Sequence, residues 1–161
     1  MKYNEGKKLR QFNALINECE TFFHEIAVKS GLSDSGYEIL HTLMLLGEGC
    51  TQTNIYKNCC LNKQTVNSSV KQLINKGLII LKQGKGKEFN IYLTDVGWEY
   101  INQRLMPVEL AENEIFEEMD DDEYNEFIRL TEKYLDSFRK KTQKTKQLQV
   151  NINENTNQWS F

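Results

Sequence analysis

The stretch that decides the fold runs over residues 51–93 and reads TQTNIYKNCCLNKQTVNSSVKQLINKGLIILKQGKGKEFNIYL. Its first half carries two short helical patterns. Thr51 can cap the first helix, and Asn62 can cap the second, which we expect over 63–76 because Gly77 suits the position after a helix end. The apolar residues of this second helix share one face: Val66, Val70, Leu73 and Ile74. The pattern therefore predicts two helices joined by a tight turn.

The hydrophobic period changes after Gly77. Two short runs follow, rich in β-branched and aromatic residues, and between them lies the segment 83–87, which reads QGKGK. Its two glycines permit a tight reversal, so we predict a β-hairpin with a basic tip. Two helices and a hairpin in this order form a winged helix-turn-helix within a mainly α (α+β) chain.

Residues 1–141 read as a single domain with this winged lobe, 32–93, at its centre. Apolar residues recur at three- and four-residue spacing over 5–29, which predicts an amphipathic first helix. Ser33 or Asp34 can cap a second helix, the first of the winged lobe.

Helical patterns return over 95–141. Pro107, the only proline of the chain, should end or kink the first of these helices. Asp120 and Glu123 have the spacing of a capping box and can open the last helix. Residues 142–161 lose the apolar pattern, and we expect them to form a mobile polar tail.

The charge of the chain is divided along its length. The net charge of all 161 residues is -3, but residues 51–93 hold seven lysines against Glu88, a net charge of +6. Residues 99–136 hold thirteen acidic and three basic residues, a net charge of -10. A basic lobe beside an acidic segment is typical of a nucleic-acid-binding lobe joined to a lobe that does not bind. The alternative is that the lysines only cover solvent-facing helix positions.

One set of polar side chains faces away from the apolar side of the second helix or lies on the hairpin. An α-helix fits the major groove of DNA, where Gln64 and Asn67 have the donor and acceptor pair that suits adenine, and lysines suit phosphates. The predicted DNA-binding residues are Thr51, Gln52, Lys63, Gln64, Thr65, Asn67, Ser68, Lys71, Lys82, Lys85 and Lys87.

The order and spacing of five pieces within residues 5–140 resemble the MarR (multiple antibiotic resistance regulator) transcription factors. The pieces are LSDSGYEIL from Leu32, TQTNI from Thr51, LNKQTVN from Leu61, LINKGLI from Leu73 and YLTDVG from Tyr92. The resemblance implies a bacterial homodimer whose subunits interlock through helices in 5–29 and 95–141. It also implies that two winged lobes bind a pseudo-palindromic operator in double-stranded DNA. The resemblance further implies repression or activation of nearby genes, often relieved by a small aromatic or anionic ligand, and repression is the role we expect.

Two positions depart from this family. In many relatives the hairpin, called the wing, carries an arginine that enters the minor groove. The wing of this chain has Lys85 and Lys87 instead. Lysine is a strongly hydrated point charge, so we expect contact with phosphates there rather than reading of the minor groove. Ser68 stands where many relatives have arginine, so the operator sequence cannot be carried over.

Ligand or thiol control is a further hypothesis. A ligand pocket would be lined by Phe22, Tyr37, His41 and Trp98, although aromatic residues at helical spacing also serve as ordinary core. Cys59 and Cys60 lie between Lys57 and Lys63, a setting that favours a reactive thiolate. Cys19 falls on the apolar face of the first helix, where a free cysteine usually serves as a small apolar residue.

Other classes of function have little support in the sequence. Neither metal-ligand spacing nor a catalytic motif is present, so we expect no metal, no cofactor and no enzyme activity. Four cysteines do not make a disulfide scaffold, and the longest apolar run is four residues. We therefore expect a reduced, cytoplasmic protein without a membrane span. A winged helix that docks on another protein remains the alternative to DNA binding.

Overall fold

The computed structural model describes residues 6–156 apart from Cys60 and Lys87, with side chains up to residue 145 apart from residue 144. The elements are α1 (Lys7–Lys29), α2 (Asp34–Leu46), β1 (Cys50–Thr51), α3 (Gln52–Asn58), α4 (Lys63–Asn75), β2 (Ile79–Gln83), β3 (Phe89–Leu93), α5 (Asp95–Arg104), α6 (Met106–Glu117) and α7 (Asp121–Thr156). The mainly α winged helix-turn-helix predicted from the sequence is confirmed.

Side-chain caps fix where four of the helices begin. Ser33, Thr51, Asn62 and Thr94 each accept a hydrogen bond from the backbone N–H three residues further on, at 3.2, 3.2, 2.9 and 2.9 Å. Such a bond satisfies one of the amides that the first turn of a helix leaves without a partner. The helix starts expected from the sequence are thus where the structure has them.

The strands form a small antiparallel sheet in the order β1-β3-β2. In the hairpin, Ile79 pairs with Leu93 and Gln83 with Phe89, while Cys50 of β1 pairs with Ile91. β1 is an addition to the prediction, because two residues are too few to produce a period that a sequence can display.

The core of the winged lobe is closed by residues from every one of its helices and from both hairpin strands. The largest side chains with almost no exposed surface include Ile39, Leu40, Leu43, Ile55, Val66, Val70, Leu73, Ile79 and Ile91. Ile101 and Leu105 of α5 belong to the same buried cluster. This closed core holds α3, α4 and the hairpin in fixed relative positions.

The junction of the hairpin and α5 depends on a glycine. Thr94 Oγ1 donates to the carbonyl oxygen of Gly77 at 2.6 Å, which ties the start of α5 to the end of α4. A Cβ placed on Gly97 would lie 2.0 Å from the carbonyl oxygen of Leu78. Only a residue without a side chain permits this close approach.

The C-terminal part of the chain differs from the prediction in length. Pro107 lies in the first turn of α6, directly after α5 ends at Arg104, as expected for a proline that starts a helix. We expected helix to stop near residue 141, but α7 continues to Thr156. Residues 142–156 contain neither glycine nor proline, and their apolar residues Leu148, Val150 and Ile152 alternate every two residues. This spacing does not display the period of a helix, so the sequence did not reveal it. Residues 157–161 of the predicted tail lie outside the described residues.

The chain divides into two compact units, 1–109 and 110–161. The first contains the winged lobe and α1. The second contains most of α6 and all of α7, whose capping box forms as predicted: Glu123 N donates to Asp120 Oδ1 at 2.9 Å, and Asp120 N donates to Glu123 Oε2 at 3.2 Å.

Candidate nucleic-acid interface

Helix α4 presents one polar face and one buried face. Val66, Val70 and Leu73 are each about 1% exposed. The opposite face carries the polar residues singled out in the sequence, and of these Lys63, Gln64, Asn67, Ser68 and Lys71 are exposed while Thr65 is half-buried. This is the arrangement of a helix that packs on its own lobe through one side and offers the other to a partner.

Hydrogen bonds at the start of α4 decide which of its polar side chains are available to bind a partner. Asn62 Oδ1 accepts from Thr65 N at 2.9 Å and from Thr65 Oγ1 at 3.2 Å, and Ser68 Oγ donates to the carbonyl oxygen of Thr65 at 2.9 Å. The hydroxyl protons of Thr65 and Ser68 are therefore engaged within the helix. The amides of Gln64 and Asn67 make no hydrogen bond to any described residue, which leaves both donor and acceptor for a base edge.

The start of α3 joins α4 to the hairpin on this surface. Gln52 and Thr53 line one groove of about 160 Å³ together with Lys63 and Asn67 of α4. They also line a second groove of about 230 Å³ whose far wall includes Phe89 of the hairpin. The structure thus brings residues of all three predicted elements to one continuous surface. Thr51 lies at the edge of it, with its hydroxyl donating to Asn54 Oδ1 at 2.7 Å.

Two aromatic rings hold lysines of this surface in place. Lys63 Nζ lies 5.0 Å from the ring centroid of Tyr56, and Lys82 Nζ lies 4.4 Å from that of Tyr92. A cation above an aromatic face is attracted by the ring, so both ammonium groups are positioned while their lysines remain exposed. Sequence reasoning missed Tyr56 and Tyr92, although aromatic residues interleaved with lysines were visible there.

The wing turns at its two glycines. Gly84 N donates to the carbonyl oxygen of Glu88 at 2.9 Å, and Gln83 Nε2 donates to the carbonyl oxygen of Gly86 at 2.7 Å. Gly86 has φ of +65°, a value that glycine adopts at no steric cost. Lys85 is exposed at this tip, whereas Lys87, the other predicted wing contact, lies outside the described residues.

The residues predicted to line a ligand pocket lie on three helices, α1, α2 and α5. Tyr37 and His41 occupy consecutive turns of α2; Tyr37 is buried, and His41 Nε2 lies 2.9 Å from Glu109 Oε2. Phe22 is exposed on α1, and Trp98 Nε1 donates to Glu48 Oε1 at 3.2 Å. The pocket stays a prediction.

The cysteines differ in exposure from what their sequence positions suggested. Cys19 was placed on the apolar face of the first helix, but it is exposed. Cys59 is buried, so it lacks the solvent access that a redox-active cysteine requires. Partial burial raises the pKa of the Cys50 thiol. Cys60 lies outside the described residues, so redox control also stays a prediction.

No described helix combines the length and the apolar character needed to cross a bilayer. Among the described histidine, cysteine and acidic side chains, no three come together in a way that could hold a metal ion.

Solved structures with the same fold are MarR family regulators. A MarR family regulator from Neisseria meningitidis superposes with a TM-score of 0.71 at 22% identity, over 87% of this chain and 99% of the other. The MepR–DNA complex of S. aureus gives a TM-score of 0.66 at 19% identity, over 83% of this chain and 99% of the other. The organohalide-sensing RdhR regulator bound to 2,4-dichlorophenol gives 0.57 at 20% identity, over 85% and 86%. The sequence matches no protein-family model and no curated protein.

The fold and the surface together define a winged-helix protein with an exposed polar helix and a basic wing. Because the chain superposes on MarR family regulators over most of its length, this winged helix is the MarR fold. The expectation drawn from the five sequence pieces is confirmed at the level of the fold.

Proposed function

We propose that this chain is a MarR-type transcription regulator, a non-enzymatic cytoplasmic protein that binds double-stranded DNA as a homodimer. In this proposal α4 lies in the major groove, and the start of α3 and the wing contact the flanking phosphates. The homodimer binds a pseudo-palindromic operator and represses nearby genes until a small aromatic or anionic ligand weakens binding.

One observation carries the DNA-binding part of this proposal. The exposed amides of Gln64 and Asn67 lie on the outer face of a short helix whose inner face is fully buried, and Lys63 and Lys71 flank them. In a helix-turn-helix, residues in the N-terminal part of the second helix meet base edges. Amide side chains can bond bidentately to adenine, while lysines contribute binding that does not depend on sequence.

The electrostatics of the lobe agree with a polyanionic partner. Residues 51–93 carry a net charge of +6 in a chain whose total charge is -3. The -10 segment, 99–136, would repel DNA. A winged helix that docks on another protein would not need lysines concentrated beside exposed amides.

The known structures of similar fold add two points of support. One of them is a DNA complex, and another holds a chlorinated phenol. By analogy, we extend DNA binding and control by a small aromatic ligand to this chain. The residues proposed for the ligand are the predicted set Phe22, Tyr37, His41 and Trp98.

The test is a variant of the α4 face measured on duplexes enriched from a randomised pool by the unaltered protein. Gln64→Ala with Asn67→Ala should reduce affinity for the enriched duplex by roughly 1–3 kcal/mol per lost base contact, because the bidentate amide bonds disappear. Affinity for a scrambled duplex should hardly change.

The matched control is Gln72→Ala with Asn75→Ala, which removes two exposed amides from the C-terminal part of the same helix. This control should retain the preference for the enriched duplex. If the Gln64 and Asn67 variant keeps its full preference, α4 does not read bases and the proposal is wrong.

A further inference from the structure

Tyr56 of α3 lies beneath the lysine that begins α4. The ammonium Nζ of Lys63 is 5.0 Å from the centroid of the Tyr56 ring. Both residues line the groove of about 160 Å³ between α3 and α4, beside Asn67. Tyr56 is half-buried and packs against the core of the lobe, whereas Lys63 is exposed. A ring fixed by the core therefore supports a charge that faces the solvent.

Lys63 has no acidic partner in the part of the lobe that the structure describes. Glu88 is the only acidic residue of 51–93, and none of the ion pairs between described residues includes Lys63. A cation above an aromatic face is attracted by the ring. Tyr56 is thus the group that holds this ammonium in the described chain.

The position of Lys63 in α4 is unfavourable for the helix itself. Lys63 is the first residue of α4, and no acidic residue lies in the first turn. The N-terminal end of a helix carries a partial positive charge, so a lysine there slightly destabilises the helix. The stability of α4 therefore does not explain this lysine, whereas an anionic partner at the α4 surface does.

The ring prepares the lysine for such a partner. A lysine side chain is flexible, and fixing it when a complex forms costs free energy. A ring that restricts the ammonium beforehand lowers this cost. We propose that Tyr56 is a positioning residue for DNA binding, whose ring holds the Lys63 ammonium where a phosphate of the duplex meets it. Tyr56 acts on binding through Lys63, not through a contact of its own with DNA.

This inference rests on the proposed function, because it requires α4 to lie against DNA. It concerns affinity for any duplex, since a phosphate contact carries no sequence information. The amides of Gln64 and Asn67 concern the preference for one sequence. Tyr56 variants should therefore weaken binding to enriched and scrambled duplexes alike, and this inference can fail while base reading by α4 holds.

The experiment is a double-mutant cycle in which fluorescence anisotropy measures affinity for the enriched duplex. Tyr56→Leu should weaken binding by roughly tenfold, because an exposed cation–π pair is worth about a factor of three and a homodimer contains the pair twice. Lys63→Gln should weaken binding at least as much, since it removes the charge. Adding Tyr56→Leu to Lys63→Gln should cause a further loss of no more than about twofold, because the ring then has no ammonium to hold.

Two further variants separate positioning from packing. Tyr56→Phe keeps the ring and removes only the hydroxyl, so it should bind within about twofold of the unaltered chain. Lys71→Gln is the matched control, since Lys71 is the other exposed lysine of α4 and lies above no ring among the described residues. In the Lys71→Gln background, Tyr56→Leu should still cost roughly tenfold, because the two residues act independently.

Three results would overturn the inference. The first is a Tyr56→Leu loss that is as large with Lys63→Gln as without it, which would mean damage to the packing of the lobe. The second is a loss for Tyr56→Phe equal to that for Tyr56→Leu, and the third is unchanged binding by Tyr56→Leu. If the unaltered chain binds neither duplex, the proposed function is wrong and this inference is wrong with it.

Discussion

The winged lobe and helix α7 bury their apolar side chains to opposite extents. Ile39, Leu40 and Ile91 in the lobe have no exposed surface, whereas Phe127 and Phe138 on α7 are 48% and 55% exposed. The lobe is a complete fold with its own core. Helix α7 is rich in charged and polar residues, and its large apolar side chains are half-exposed.

The outer surfaces of these two regions also differ in chemistry. The lobe offers lysines and amides, which suit a hydrated polyanion. The helix offers aromatic and aliphatic side chains bordered by charges of both signs, which suit another protein surface. This contrast agrees with the proposed function, in which the lobe binds DNA and a homodimer forms through the terminal helices that the resemblance implies.

The largest expected effects are changes in the free energy of unfolding when apolar residues of the lobe core or of α7 are truncated. Leu40→Ala should lower the free energy of unfolding by about 2–5 kcal/mol, because it leaves a cavity in a closed core. This loss should not depend on protein concentration. Leu135→Ala should have an effect that grows as the protein is concentrated, since its partner is a second copy. Urea denaturation at several protein concentrations measures both.

Leu45→Ala is the control for that comparison, since Leu45 lies on the same helix as Leu40 and is 65% exposed. It should change stability by no more than about 0.5 kcal/mol. A small loss for Leu40→Ala would contradict the closed core, and a Leu135→Ala effect independent of concentration would contradict the role given to α7.

A smaller effect is expected at the wing. Lys85→Ala should weaken binding to enriched and scrambled duplexes alike and reduce the slope of affinity against salt by about 1, because one phosphate contact is lost. Lys76→Ala removes another exposed lysine, directly after the end of α4 and away from the wing tip, and should leave the slope unchanged. A change that differs between the two duplexes would mean that the wing reads sequence.

The parts of the fold that the sequence predicted are those with a local physical signal. Asn62 and Thr94 were recognised because a helix start needs a side-chain acceptor. The hairpin was recognised because its glycines separate two short runs that are rich in β-branched and aromatic residues. What the sequence could not reveal has no local signal. β1 depends on pairing with Ile91, and the sequence of the end of α7 shows no apolar residues at helical spacing that continue the pattern of 121–138.

At the candidate site, too, the sequence predicted only what has a local signal. Helical spacing was sufficient to place Gln64 and Asn67 on the outer face of α4. It could not show that the hydroxyls of Thr65 and Ser68 are engaged within the helix, since that depends on rotamers. Nor could it show that Gln52 borders both α4 and the wing, because that contact is set by the tertiary fold.

The central claim, that the lobe binds a particular DNA sequence, is tested most directly by fluorescence anisotropy of the unaltered protein. The enriched duplex is compared with a scrambled duplex of equal length at two salt concentrations. We predict a preference of roughly 10³-fold or more for the enriched duplex, together with a steep loss of affinity as salt rises. Equal affinity for the two duplexes, or no binding to either at low salt, would contradict the claim.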